Sequence, residues 1–338
     1  MTPAHLDLAL IWAAIIAFAV LAYVLLDGFD LGVGILFLVE HGDQDRDVMV
    51  NSIAPVWDGN ETWLVLGGGG LFAVFPLAYA VILPALYPPI IAMLLALVFR
   101  GVAFEFRFRA TGRGRTAWDV AFFGGSAIAA LCQGLALGGI LQGIHIEGDA
   151  YAGGWWDWLN GFTILCGLAL VTGYALLGAC WLIWRTEGSL RQRAVRHART
   201  LAVAVIALIV VVTLWTPMLD GVLSRRWLRW PDLLFTAPVP VLLAILVIGF
   251  WRSLSSRWHV LPLLCAYGIF VLCYGGLLIS LFPYLAPPSV TFRNAAAPAD
   301  SLGFLLVGAA ITIPVILAYT TFSYSVFRGK IRHGEGYH

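Results

Sequence analysis

Long apolar runs alternate with short polar segments along the whole chain, and the runs have the length of membrane-crossing helices. Nine helices are predicted, over about 8–28, 60–82, 84–104, 120–142, 161–184, 200–218, 233–251, 259–284 and 303–327. The first run continues in apolar character past Asp30 to about Val39. A helix of that extent is about 48 Å long, against a hydrocarbon core of about 30 Å. The first helix is therefore expected either to tilt and protrude or to break near Gly28. The opening MTPAHLDLALIW has no Lys or Arg and is followed by no small-residue cleavage site. The first run is accordingly read as a true span rather than a cleaved leader.

Composition agrees with this pattern. Of 338 residues, 61% are hydrophobic and 12% charged, and the mean hydropathy is +0.89. Soluble domains carry about 25% charged residues, so one soluble core is excluded and residues 1–338 are read as a single all-α, polytopic membrane domain. A net charge of +1 offers no basic face for nucleic acid.

The placement of Lys and Arg predicts orientation. Fifteen fall on one side of a nine-span arrangement, in 105–119, 185–199, Arg252, Arg257, Arg46 and the tail with Arg328, Lys330 and Arg332. Four fall on the other, Arg225, Arg226, Arg229 and Arg293. The basic side is expected to be cytoplasmic, with the N-terminus outside and the C-terminus inside. Arg107 and its neighbours read as positive-inside anchors. Trp155, Trp156, Trp158, Trp227 and Trp230 read as an indole belt on one side, and Trp251 and Trp258 on the other.

None of the seven His falls mid-span, and Met93 is the one Met well inside a run. Transmembrane haem needs axial ligands at that depth, so the chain alone is expected to hold no haem and no metal. The five Cys lie in apolar runs without CxxC spacing and read as small buried hydrophobes.

Against this background the ionisable residues in and beside the spans stand out, because each costs free energy at membrane depth. Asp27 and Asp30 end the first run; Asp58, Asn60 and Glu61 open the second; Arg100 and Glu105 lie in FRGVAFEFRFR. All fall in the half nearest the basic side. Arg100 is the natural counter-ion for one of the acids. Two readings stay open: a site of proton uptake, or a solvated helix end with Asp58 and Glu61 as a capping box. Gly28 with Gly32, and the run Gly67 to Gly70, suit close helix packing, with a broken helix at an ion site as the sharper alternative.

The set DGFDLGVGILF at 27–37, NSIAPVWDGNETWL at 51–64, FR at 99–100 and FPYLAPPS at 282–289 resembles subunit II of the cytochrome bd-type ubiquinol oxidases. VWDGNETWLVLGGGGLF and FRGVAFEFRF look nearest the cyanide-insensitive branch. The resemblance implies two four-helix bundles with a peripheral helix, in the bacterial cytoplasmic (inner) membrane. It implies a partner, subunit I, which carries low-spin haem b, high-spin haem b and haem d and oxidises quinol while O2 is reduced to water. Subunit II would bind none of these haems; some members hold a structural quinone here, and a small single-helix accessory subunit is a further partner in the family. Asp58 matches the family's proton-path aspartate in its WDGN setting, and Asp30 and Arg100 match motif positions; Glu61 is carried with them as a candidate. From the residues themselves, a proton-coupled transporter using Asp27, Asp30 and Asp58 is the alternative, and a purely structural scaffold is a third reading.

Overall fold

The computed structural model describes residues 7–40, 42–219 and 238–331. The helix α1 spans Leu8–Leu36 and opens on Asp7, whose carboxylate accepts from Leu10 N at 3.1 Å. It continues unbroken through Gly28, which leaves tilt and protrusion of the two alternatives. Both Gly28 and Gly32 face α7 (Gly161–Arg185). A Cβ at Gly32 would overlap the Tyr174 carbonyl and come within 2.7 Å of Gly178 N. These glycines serve close helix approach, as small residues do in lipid.

A helix that the periodicity missed, α2 (Asp43–Ile53), follows. It is short, and its first half is polar, so it reads as loop. Its C-terminal half, Val48 to Ile53, is buried.

The second span expected over 60–82 is two helices, α3 (Trp57–Val74) and α4 (Pro76–Ala85), bent by 119° at Phe75. Pro76 supplies no N–H and pushes the preceding residue out of the helical region; Phe75 has φ −126° and ψ 64°. The helix α5 (Tyr87–Arg109) then returns, and a turn at Gly112, φ +54°, leads into α6 (Arg113–Gln142). A hairpin of β1 (Ile146–Glu147) and β2 (Ala150–Tyr151) precedes α7. The α7 helix starts on a capping box in which Asn160 and Thr163 bond reciprocally.

The helix α8 (Gly188–Trp215) begins a dozen residues before the expected 200–218 span. Arg191, Arg193, Arg196 and Arg199, read as loop, lie on its first turns. The seventh expected span is met by α9 (Pro238–Ser253), with 233–237 outside the described residues, as are Trp227 and Trp230. The helix α10 (Leu261–Leu281), a hairpin of β3 (Tyr284–Ala286) and β4 (Val290–Thr291), and α11 (Ala299–Val326) complete the chain.

Among the described residues seven helices are long and apolar enough to cross a membrane, eight if the bent α3–α4 pair is one span. The short apolar α9 is additional. The fold is thus all-α and polytopic. The α1 helix packs on α3, α6 and α7; α5 packs on α6, α8 on α7, and α9 on α10. One core lies towards the end that holds α2 and the C-termini of α1, α5 and α7. A second fills the opposite end, where Trp12 Nε1 donates to Leu302 O at 3.0 Å and Ala297 N to Val74 O at 2.8 Å. Of the described Lys and Arg, only Arg293 belongs to this second end, where it pairs with Asp7 at 3.1 Å. The first is therefore the basic end.

Candidate functional site

Three helices, α1, α3 and α5, bring Asp27, Asp30, Asn60, Glu61 and Arg100 together near the basic end. Arg100 is completely buried. Its Nη1 donates to Asp27 Oδ1 at 3.0 Å and to Glu61 Oε1 at 2.8 Å. Asp27 is fully buried, while the Glu61 side chain is 25% exposed. Arg100 thus links an interior carboxylate to one that reaches the surface. Its Nε and Nη2 are buried without a partner, as is Asp27 Oδ2.

Asp30, also fully buried, does not bond to Arg100. Asn60 Nδ2 donates to its Oδ2 at 2.6 Å, and Tyr324 OH of α11 donates to Asn60 Oδ1 at 3.0 Å. A narrow cavity between α3 and α11, with room for about one water, is lined by Asn60, Tyr319, Thr320, Ser323 and Tyr324. It brings the surface to the amide that holds Asp30.

Asp58 is exposed, one turn before Glu61 on α3. It does not cap: the cap position is Val56, without a side-chain cap bond, and Asp58 is the second helical residue. The capping-box reading of Asp58 and Glu61 is therefore corrected. Glu61 turns inward to Arg100 instead, because a buried guanidinium binds a carboxylate more strongly than a neutral backbone N–H does. Asp58, Thr62, Val65, Gly68, Gly69 and Phe72 share the exposed face of α3. A Cβ at Gly68 or Gly69 would meet nothing within 4 Å.

Sequence reasoning missed the continuation on the inner side. Tyr23 lies one turn before Asp27 on the same face of α1. Gln133 Nε2 of α6 donates to Tyr23 OH at 2.8 Å, and Tyr174 OH donates to Gln133 Oε1 at 2.8 Å. A Gln in the glycine- and alanine-rich α6 was the available signal.

Arg107 also departs from expectation. It is not a surface anchor but 1% exposed, bonding Asp119 at 2.6 Å and Asp47 of α2 at 2.6 Å, with Phe37 beneath its guanidinium at 5.1 Å. Arg46 joins Asp119 at 3.1 Å. Arg193 bonds Glu40 at 2.5 Å and also Asp45, so α8 is tied to α2. Asp45, Arg46 and Asp47 of α2 are taken up in these pairs. Trp155 and Trp156 are exposed at the end opposite to exposed Trp258, as two belts require.

The fold and site define a polytopic helical membrane protein with an arginine and two carboxyl groups fully buried near one end. Cytochrome bd terminal oxidase subunit II is the family that matches, over residues 8–327, and the chain belongs to it. It is 30% identical to Cytochrome bd-I ubiquinol oxidase subunit 2 of Escherichia coli (strain K12), over 96% of this chain and 95% of that protein. It is 30% identical to Cytochrome bd ubiquinol oxidase subunit 2 of Bacillus subtilis (strain 168), over 96% and 97%. The fold is similar to that in the structure of bd oxidase from Geobacillus thermodenitrificans, with TM-score 0.72 and 17% identity over 95% of this chain and 99% of that one. The chain is a component of a bd-type quinol oxidase, and no finding supports the transporter alternative.

Proposed function

We propose that this subunit takes up protons at the basic end, taken as cytoplasmic, and passes them towards the site of O2 reduction in subunit I. The observation that carries the reading is the single Arg100 nitrogen bridging Glu61 and buried Asp27, with exposed Asp58 one turn outward. Three carboxyl groups around one guanidinium give the excess of acidic groups that a proton path needs. Asp58 would act as the outer acceptor, and Glu61 as the group that opens on Arg100. The cavity beside Asn60 supports a second approach, to Asp30, and the Tyr23–Gln133–Tyr174 chain supports continuation inward.

No group of three or more His, Cys, Asp or Glu among the described residues could hold a metal ion. His145 is exposed, and His197 and His259 are partly exposed. In this reading low-spin haem b, high-spin haem b and haem d belong to subunit I, which oxidises quinol; this chain supplies protons and packing.

The open face of α3, with Asp58 at its polar end and unpacked Gly68 and Gly69, suits a helix of subunit I, since small residues let backbones approach. The membrane is the bacterial cytoplasmic membrane, with the N-terminus outside. Steady-state O2 uptake by an assembled complex carrying Asp58→Asn tests the reading. A clear fall with haem content unchanged is expected; full turnover would leave a scaffold role only.

A further inference from the structure

Arg100 Nη1 serves two carboxylates, and the two are not held alike. Among the described residues the Glu61 carboxyl group is hydrogen-bonded only by Arg100, and the side chain is 25% exposed. Asp27 is fully buried; Arg100 takes its Oδ1, and its Oδ2 has no partner in full hydrogen-bond geometry. A carboxylate oxygen left without a donor at that depth is costly. Tyr23, itself buried and one turn before Asp27 on α1, brings its hydroxyl beside this carboxyl group.

The bonds around Tyr23 leave its proton free for that oxygen. The Gln133 amide lies between two hydroxyls, those of Tyr23 and Tyr174, at 2.8 Å from each. An amide gives only through its nitrogen and takes only through its oxygen. One hydroxyl therefore receives the N–H and keeps its own proton, and the other spends its proton on Oε1. With Nε2 towards Tyr23, the proton kept is that of Tyr23, beside the unserved Asp27 Oδ2. The reverse orientation would spend it on Gln133 and leave Oδ2 bare. The other buried acid is served in the same manner: Tyr324 donates to Asn60 Oδ1 at 3.0 Å, and Asn60 Nδ2 to Asp30 Oδ2 at 2.6 Å. In both places a tyrosine and an amide aim a run of donors at a buried carboxylate.

We propose that Tyr23 is a positioning residue for Asp27: oriented by Gln133 and Tyr174, its hydroxyl donates to Asp27 Oδ2 and fixes the carboxylate that Arg100 holds by Oδ1. Donors on both oxygens make Asp27 the permanent arm of the Arg100 bridge. Glu61, with one donor and a side open to the surface, is the arm that leaves and returns. This division of roles rests on the reading of the Arg100 bridge as part of a proton path, but the positioning needs no proton to cross the Gln133 amide.

The test uses the assembled complex in lipid, isotope-labelled at the aspartate side-chain carboxyl carbon and read by solid-state NMR. The Asp27 resonance is the one absent from Asp27→Asn. Tyr23→Phe removes one hydroxyl and keeps the ring; it should displace the Asp27 resonance and leave that of Asp58 in place. Tyr174→Phe frees the Gln133 amide to turn, and should displace the Asp27 resonance by less. An Asp27 resonance unmoved in Tyr23→Phe overturns the inference. Should a variant fail to assemble, a cryo-EM structure of the wild-type complex decides. Tyr23 OH at about 2.8 Å from Asp27 Oδ2 is expected, and a separation beyond hydrogen-bond reach overturns the inference. A displaced Asp27 resonance together with full turnover of both Asp58→Asn and Glu61→Gln would uphold the positioning and remove the proton path instead.

Discussion

Arg100 Nη1 stands 3.0 Å from Asp27 Oδ1, and neither side chain is exposed at all. The two residues are 73 apart in sequence and on different helices. Removing one partner of such a pair leaves an uncompensated buried charge, at a cost of about 3–5 kcal/mol. Arg100→Leu should therefore lower the amount of assembled complex severely, read by haem absorbance per membrane protein. Asp27→Asn combined with Arg100→Gln should recover part of that loss, because both charges leave together. A double variant no better than Arg100→Leu alone would contradict the pairing.

The glycines divide into two groups with opposite expectations. Gly178→Ala places a Cβ against the backbone of Gly32 and Val33, and should separate α1 from α7 and abolish stable expression. Gly68→Leu places its Cβ where nothing in this chain lies within 4 Å. It should leave the subunit inserted in the membrane while blocking its co-purification with subunit I. Normal co-purification of Gly68→Leu would place the partner elsewhere.

Asp119→Ala leaves Arg107 with Asp47 alone and Arg46 without a carboxylate. A loss of about 3–5 kcal/mol is expected for a broken buried pair, seen as a fall in thermal midpoint of the complex. Arg113→Ala, at an exposed position of the same segment, should shift stability by no more than about 0.5 kcal/mol. Equal midpoints for the two variants would show that the Arg107 pairs contribute nothing.

Orientation can be checked by fusion after His338. A reporter active only in the cytoplasm should work there, and one active only in the periplasm should not. The opposite outcome would put the Arg100 cluster on the outer side.

The apolar runs made the long helices legible, and the acids and Arg100 were legible because charge is costly at that depth. What escaped depended on contacts between distant segments. The buried half of α2 makes sense only against α7, where Trp181 Nε1 donates to Ser52 Oγ at 3.2 Å. The choice of Asp27 and Glu61 over Asp30 for Arg100 follows from the rotation of α1 and α3, which spacing does not specify. Tyr324 reaches Asn60 across 264 residues. The bend at Phe75 was marked by Pro76, but hydropathy alone runs straight through it. Arg107 looks like any flanking arginine until Asp119 and Asp47 close around it.

The proposed proton path is tested most directly by single-turnover proton uptake. Reduced complexes of wild type and Asp58→Asn, matched in haem content, would be mixed with O2 in a pH-indicator medium. Uptake in Asp58→Asn should be at least about tenfold slower, about 1.4 kcal/mol of added barrier, while the first electron transfer to O2 keeps its rate. Proton uptake at the wild-type rate in Asp58→Asn, and again in Glu61→Gln, would contradict a path through this subunit.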